Sequence, residues 1–402
     1  MTKRPKRLLL LGGLRYLIPV INAAHEAGYY VITCDYVPDN IAHAYSDEYH
    51  NVSIIDKEAV LQLAQMLKID GIMSFAVDPG VVTAAYVAEQ MGLPGHPFKS
   101  VEILQNKDKF RSFLQQNHFN VPRSQGYRDL ESLLKEMDYF SFPVIVKPTD
   151  SAGSKGVTRV DNIEKMREAV ESALSCSLSG NFIVEEFIDN KGYSSDSDGF
   201  SVNGELKFIS FSDQRFDNRA ANPYTPSAYS WPATMEQVHQ NVLKDEVQRL
   251  LTLLGMQTSV YNIETRVSQD NKPYIMELSP RGGGNRLSEM LKYVTGVDLI
   301  KNAVRAAVGD SIENMSSLQY DGFWAEIILH GDKPGRFERI EIAEAIKSSV
   351  VELDLWIEKG DEIKAFNGAN DTIGTLVLKF DTREQLTETM DKTSDWVKVI
   401  IR

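Results

Sequence analysis

Glu277, Ser279 and Arg281 occupy alternate positions at the end of an apolar run that begins at Tyr274. In a β-strand, residues two apart share a face, so an acid, a hydroxyl and a guanidinium point the same way. Pro280 stops the ladder, and Gly282-Gly283-Gly284 follow, where backbone can come close to a ligand. Upstream, Val260–Arg266 reads as a second strand and carries Glu264. The polar stretch Ser268-Gln269-Asp270-Asn271-Lys272-Pro273 between the two runs fits a hairpin turn. Such a hairpin brings Glu264 and Glu277 together, and paired carboxylates repel unless a cation sits between them. A strand that ends by offering a carboxylate, a cation and bare N–H groups suits an anion held through a metal.

Further candidates lie upstream. Phe142–Pro148 is a buried-type strand that delivers Lys147 to a small-residue loop, Thr149–Val157. A lysine there can meet phosphate oxygens while loop N–H groups close over them. The loop is not a Walker A sequence, because Gly-x-x-x-x-Gly-Lys-Ser/Thr is absent. Glu185-Glu186-Phe187-Ile188 ends another strand, where backbone groups can read a purine edge and a carboxylate can accept from ribose hydroxyls. Lys107, Lys109 and Arg111 crowd into a turn and a half of helix. Taken singly, each of these is ordinarily a solvated group.

The elements that must position them fall into three stretches, expected at residues 1–98, 99–310 (with a lid at about 120–187) and 311–402. At the start, strands at Arg7–Leu11, Tyr30–Asp35 and Gly71–Phe75 alternate with helices through about Ala27, at Lys57–Leu67 and at Val81–Met91. This spacing predicts a doubly wound parallel sheet, whose strand C-termini, where ligands sit in such units, carry Gly12, Gly13, Asp35 and Asp78; Gly12-Gly13 reads foremost as a tight βα turn, and Asp78 as either a helix cap or a substrate contact. One helix is expected over Ser100–Asn117. Asp189–Gly199 reads as loop, and Phe200–Ser212 as a hairpin turning at Asn203-Gly204. Asp213–Pro232, with Arg215, Arg219, Tyr224, Tyr229 and Trp231, reads as a long lid or substrate loop. Helices are expected at Met235–Leu254 and Ser288–Val308. The last stretch reads as a small α+β segment with strands at Gly322–His330, Ala345–Leu353 and Thr372–Lys379 and a final helix at Arg383–Val397.

The 402 residues carry a formal charge of -13, which argues against general nucleic-acid or membrane-surface binding. Two cysteines, Cys34 and Cys176, have no metal spacing. No stretch is long enough to span a bilayer, and the N-terminal apolar run is too short for a signal peptide. A cytoplasmic enzyme is the default expectation.

Order adds what single motifs lack. A helix lysine, a strand-end lysine with a Gly/Ser loop, Glu-Glu-Phe-Ile, and two strand glutamates before Ser-Pro-Arg-Gly-Gly-Gly occur in sequence. In that order the chain resembles the ATP-grasp superfamily over nearly its whole length, most closely the carboxylate–amine ligase branch with carbamoyl-phosphate-synthetase-like and L-amino-acid-ligase-like members. The resemblance implies an α/β chain: a preceding domain, an ATP-grasp fold of two α+β subdomains, and a C-terminal α+β segment. It implies ATP and Mg²⁺, small carboxylate and amine substrates, and suggests a homodimer. Lys107 and Lys147 would contact the phosphates, and Ser151, Gly153, Ser154, Gly156 and Val157 would belong to the lid loop over them. Glu185, Glu186, Phe187 and Ile188 would form the adenine hinge, with Glu185 or Glu186 near the ribose. Glu264 and Glu277 would bind Mg²⁺, and Arg281 would hold the acyl phosphate or the substrate carboxylate. The chain departs from the pattern at Ser279, where many members have Asn, and at Asn190-Lys191-Gly192-Tyr193, where many carry a further glutamate after the hinge. Two other readings stay open: a purine-pathway-type carboxylating or formate-using ligase, to which Arg215, Arg219 and Arg281 would offer basic groups, and a non-catalytic ATP-binding protein.

Overall fold

Arg7–Leu11 (β1) is apolar at consecutive positions because both of its faces are covered. It is followed by α1 (Ile18–Glu26), β2 (Tyr30–Cys34), β3 (Glu48–His50), α2 (Lys57–Leu67), β4 (Gly71–Ser74) and α3 (Asp78–Met91) in the computed structural model, which describes residues 4–151, 153–313, 315 and 318–402. The strands form a parallel sheet in the order β3-β2-β1-β4, as a doubly wound unit requires. The short β3, too polar to stand out in the sequence, joins its edge. Helix α3 begins three residues earlier than expected. Pro79 fits its first turn, where a missing N–H costs nothing, and Asp78 thereby sits at the strand C-terminal edge of the sheet.

The single helix expected over 100–117 is two, α4 (Phe98–Gln105) and α5 (Lys107–Gln116). Asn106 breaks them with an extended backbone, and its side chain accepts from the Lys109 N–H as the cap of α5. The break puts Lys107 at a helix N-terminus. Then come β5 (Ser124–Tyr127), α6 (Leu130–Lys135), β6 (Val144–Pro148), β7 (Thr158–Val160), α7 (Met166–Ser175) and β8 (Phe182–Glu186). These strands make an antiparallel sheet, β5-β8-β6-β7, with α7 packed on Val144, Val146, Val160 and Val184.

The next stretch corrects two expectations. Residues 195–199 are not loop: they belong to β9 (Ser195–Val202), which turns at Asn203-Gly204 into β10 (Glu205–Ile209). The stretch 213–232 is not a continuous loop either. It holds β11 (Asp213–Phe216) and β12 (Pro226–Trp231), and Arg215, Tyr229 and Trp231 are buried. Helix α8 (Gln237–Leu253) leads to β13 (Ser259–Val267) and β14 (Pro273–Ser279), and the sheet order is β10-β9-β13-β14. The helix expected over 288–308 is also two, α9 (Leu287–Thr295) and α10 (Leu299–Ala307), parted at Gly296 in a left-handed conformation.

The remaining elements are β15 (Phe323–Leu329), β16 (Gly335–Ile342), β17 (Val350–Leu355), β18 (Glu362–Ile363), β19 (Gly374–Phe380), α11 (Arg383–Met390), α12 (Thr393–Trp396) and β20 (Val397–Ile401). Strands β11 and β12 pair into this part of the chain, giving the sheet β11-β12-β15-β19-β17. The helix expected over Arg383–Val397 is two, α11 and α12, and the chain then continues into β20. Its Val-Lys-Val-Ile-Ile pairs with β16. Among the described residues no helix is long and apolar enough to cross a membrane.

Candidate active site

The expected hairpin forms, and Glu264 lies directly opposite Glu277 across β13 and β14. On its other side Glu264 lies opposite Asp196 of β9. Three carboxylates therefore stand in one row across three strands. Two residues on, Asp198, Asn262 and Ser279 form a second row on the same face. Asn262 donates from Nδ2 to Asp196 at 2.7 Å and more distantly to Asp198 at 3.3 Å. A bulge between Glu264 and Thr265 disturbs the ladder beside Met276, a common device for re-aiming side chains near functional sites. Burial, with the Glu264 charge adding to it, pushes the Asp196 carboxyl up to about 8. Burial likewise raises Asp198 to about 6, against the stabilising Ser288 hydroxyl and Arg281 charge. This acid-rich wall is short of positive charge.

Arg281, at the exit of the same strand, is a buried cation beside it. It forms a two-pronged pair with Asp78 at the start of α3, Nε to Oδ1 and Nη2 to Oδ2 both at 2.8 Å. Ser279 is fully buried and also occupied: its hydroxyl donates to Asp78 and accepts from Gln105. Asp78 thus ties the end of β14 to the first sheet. The glycines after Arg281 are not alike. The Gly283 N–H is taken by Asp198, so it is not free for a ligand. A Cβ at Gly282 would sit 2.1 Å from the Phe75 ring, whereas one at Gly284 would meet nothing within 4 Å. Gly282→Ala is therefore expected to destabilise the protein by about 1–3 kcal/mol through overpacking. Gly284→Ala should stay within about 0.5 kcal/mol of the wild type. Urea unfolding midpoints of the two variants check the contrast, and equal midpoints would refute it.

The facing wall has the opposite balance. Glu185 is 2 % exposed and spends both oxygens on cations, Arg111 Nε at 2.8 Å and Lys147 Nζ at 2.7 Å. Burial alone would raise its pKa, but Arg111 and Lys147 outweigh burial and hold it down to about 2. Lys147 is lowered, first by burial and then by the nearby Arg111 and Lys107 charges, against the pull of Glu185. Arg111 and Lys147 thus share one carboxylate with the Lys107 charge nearby, which leaves an excess of positive charge. Arg111 also donates to the Met276 carbonyl at 2.8 Å, one residue from Glu277. The cation-rich and acid-rich walls are therefore joined.

The loop after Lys147 closes this wall. Lys107 Nζ donates to the Ser151 carbonyl at 2.8 Å. Gly153, Ser154 and Gly156 are left-handed, and Ser154 Oγ donates to the Tyr224 carbonyl. Val157 leads into β7, and Ala152 lies outside the described residues. Glu186 points elsewhere, accepting from the Ser141 N–H and lying 3.5 Å from Arg123. The Phe187 N–H is used by the Pro143 carbonyl. Among the described residues the Ile188 N–H has no hydrogen-bond partner.

Asp196, Asp198, Asn262 and Asp78 complete the arrangement, and the first three were absent from the expected site. The sequence does carry a signal for two of them, because Asp196-x-Asp198 repeats the alternate spacing of Glu277-x-Ser279. Arg215 and Arg219 stand apart. Arg215 is held by Asp391 and Ser230, and Arg219 by Asp217.

Residues 140–290 match a family model described as ATP-grasp domain. Residues 327–402 match one described as L-amino acid ligase C-terminal domain 2. The carbamoyl phosphate synthase large chain of Vibrio cholerae is 24% identical over 311 residues, covering 76% of this chain and 28% of that one. The chain spans about a quarter of the length of the carbamoyl phosphate synthase large chains it matches. An uncharacterised protein of Sinorhizobium fredii, y4rH, is 26% identical over 380 residues, covering 91% of this chain and 74% of that one. Among solved structures, L-amino acid ligase from Bacillus licheniformis superposes with a TM-score of 0.82 at 24% identity, covering all of both chains. Phosphoribosylglycinamide synthetase from Anaerococcus prevotii gives 0.76 at 24% identity, with 99% of this chain and 100% of that chain covered. These two structures share the fold.

Proposed function

We propose that this chain, which carries an ATP-grasp domain at residues 140–290, is an ATP-dependent carboxylate–amine ligase that forms ADP and phosphate. One observation carries the reading: a cation-rich wall (Lys107, Arg111, Lys147) meets an acid-rich wall (Asp196, Glu264, Glu277) through Arg111. The first suits phosphates. The second suits a metal that the phosphates share.

Mg²⁺ fits this donor set. Among the described residues no group of three or more His, Cys, Asp or Glu converges to hold a metal by itself. Mg²⁺ characteristically takes only one or two carboxylates and completes its shell with phosphate oxygens and water. Glu264 and Glu277 would hold it, and when bound it neutralises charge developing on the transferred phosphoryl group.

The chain's own residues do the rest by positioning. Lys107 and Lys147 bind the phosphate oxygens, with the loop 151–157 over them. The hinge at 185–188 receives the adenine, and the unused Ile188 N–H is its available donor. Arg281, fixed by Asp78, holds the substrate carboxylate against the γ-phosphate. A carboxylate oxygen attacks the γ-phosphorus, an O–P bond forms, and the bond to ADP breaks. The amine nitrogen then attacks the acyl carbon, loses a proton, and phosphate leaves. Water exclusion by the loop protects the acyl phosphate between the steps. The division at about residues 98 and 310 belongs to the same reading.

The test is product identity across a panel of acid–amine pairs with the purified protein. ADP and phosphate should be released in equal amounts, and only with both substrates present. AMP and pyrophosphate would sink the proposal. A purine-pathway-type ligase would instead require a ribose phosphate among its substrates. A non-catalytic ATP binder would show no substrate-dependent turnover at all.

A further inference from the structure

Most of the stretch 213–232 is strand, and what remains of the expected loop is the turn 217–225 between β11 and β12. That turn meets the loop that follows Lys147. Ser154 Oγ donates to the Tyr224 carbonyl at 2.9 Å, and Asn222 Nδ2 donates to the Ser154 carbonyl at 3.1 Å. Among the described residues, these two bonds and the Lys107 contact at Ser151 are the hydrogen bonds that tie 151–157 to the rest of the chain. Gly156 rests on α7, where a Cβ would lie 3.0 Å from that of Cys176, whereas a Cβ at Gly153 would meet nothing within 4 Å. The loop is therefore fixed near its two ends and held in its middle by the turn.

The turn is in turn anchored to the C-terminal part of the chain. The Asn222 N–H donates to the Phe366 carbonyl at 3.2 Å. The Nδ2 group that meets Ser154 also donates to the Asn367 carbonyl at 3.2 Å, and Thr225 Oγ1 donates to the same carbonyl at 3.3 Å. Asn222 Oδ1 accepts from the Tyr224 N–H at 3.0 Å, which fixes which end of the amide carries the donors. Residues 366–367 are firmly held. Phe366 is fully buried and stacks on His330 with ring centroids 4.0 Å apart, and the Asn367 N–H donates to Asp371. A Cβ at Gly368 would stand 3.9 Å from the Gly153 carbonyl. One side-chain amide thus bridges a glycine-rich loop, costly in entropy to order, and a rigid support more than 200 residues further along the chain.

We propose that Asn222 is a positioning residue whose amide clamps the loop 151–157 to residues 366–368, so that the C-terminal segment holds the loop shut over the phosphates. The inference rests on the ligase reading for what the loop covers.

Trypsin reads the clamp directly. Lys155 is exposed in the loop, and cleavage of a native protein there tracks the open population. Each neutral hydrogen bond weighs about two- to tenfold in such a ratio. Asn222→Asp keeps the shape and the acceptor for Tyr224 but loses both donations. It should speed formation of fragments 1–155 and 156–402 by at least about fivefold. Ser154→Gly, unstrained at a left-handed position, removes the bond to Tyr224 from the loop side. It should also speed the cut, and it serves if Asn222→Asp does not fold. Asn218→Ala, at an exposed position of the same turn, should leave the rate unchanged. Mg²⁺ with a non-transferring β,γ-imido analogue of ATP should slow the cut in wild type and variants alike. In turnover, Asn222→Asp should release more than one phosphate per amide formed, because an open loop admits water to the acyl phosphate.

Unchanged cleavage in both Asn222→Asp and Ser154→Gly overturns the proposal. So does an equal rise in Asn218→Ala, a cut that nucleotide does not slow, or a phosphate-to-amide ratio equal to that of the wild type. Cleavage is read without turnover, so the two readings fail separately. A protein whose cut at Lys155 responds as expected but that joins no acid to any amine keeps the clamp and loses the ligase reading. One that makes amide while its cut ignores Asn222 does the reverse.

Discussion

Glu277→Gln is expected to lower the rate of phosphate release by about 10²–10³-fold, the loss typical of removing one preorganised charge from a transition state. The same change should leave the fold intact and raise its stability slightly. Glu277 stands directly opposite Glu264, and like charges across an antiparallel pair destabilise by roughly 0.2–1 kcal/mol. Among the described residues Glu277 has no ion pair, whereas Glu264 has a 3.3 Å contact with Arg266. Among the described residues no ion pair depends on the Glu277 charge, and Arg281, which that charge also favours, keeps its pair with Asp78, so removal relieves repulsion without leaving a cation unpaired. Activity and stability should therefore move in opposite directions, which a general folding defect cannot mimic. Steady-state phosphate release and a urea unfolding curve on the same preparation measure both. A variant that keeps its activity would remove Glu277 from the site.

Much of this arrangement was legible in the sequence because it rests on local rules. The apolar run of β1 and the capped helix α2 mark the first sheet. The turn at 268–273 fixes the register that places Glu264 against Glu277. What escaped has a common cause. Strand β9 reads Ser-Asp-Ser-Asp-Gly at its start, a composition that suits turns. It is a strand because β13 and β10 pair with it on both sides and because its acids face the site rather than water. Strand β12 escaped in the same way: its partner β15 lies almost a hundred residues further on, no local pattern encodes such a pairing, and β11 is held in turn by β12. Helix breaks at Asn106 and Gly296 were visible as residues but not as breaks, since each flank is apolar-periodic on its own. Ser279, a departure from the family pattern, is explained by its surroundings. It is bound to Asp78 and Gln105, while an amide stands directly across the ladder at Asn262.

The largest stability effect is expected at Glu185, and its neighbour supplies the control. Glu185→Gln keeps the shape but leaves Arg111 and Lys147, both largely buried, without their shared counter-charge. Breaking a buried pair by removing one partner costs about 3–5 kcal/mol. Glu186→Gln removes a charge whose partner Arg123 is exposed at 46%, and such pairs contribute about 0–1 kcal/mol. The pH dependence gives an independent check. The Glu185 pKa falls from 4.5 to about 2 on folding, which corresponds to about 3 kcal/mol. Because the folded value is the lower one, this stability is fully present above pH 4.5 and is lost as pH falls through 4.5 towards 2. Wild type and Glu185→Gln should differ most near neutrality and draw together as the acid limit is approached, while Glu186→Gln should track the wild type throughout. Phosphates bound at Lys147 would replace part of the lost charge, so pyrophosphate should stabilise Glu185→Gln more than the wild type. Urea midpoints for the three proteins at pH 7, 4 and 3, with and without pyrophosphate, decide the matter. If Glu185→Gln and Glu186→Gln cost the same, or if pyrophosphate stabilises neither, the cation-rich wall is not the phosphate site.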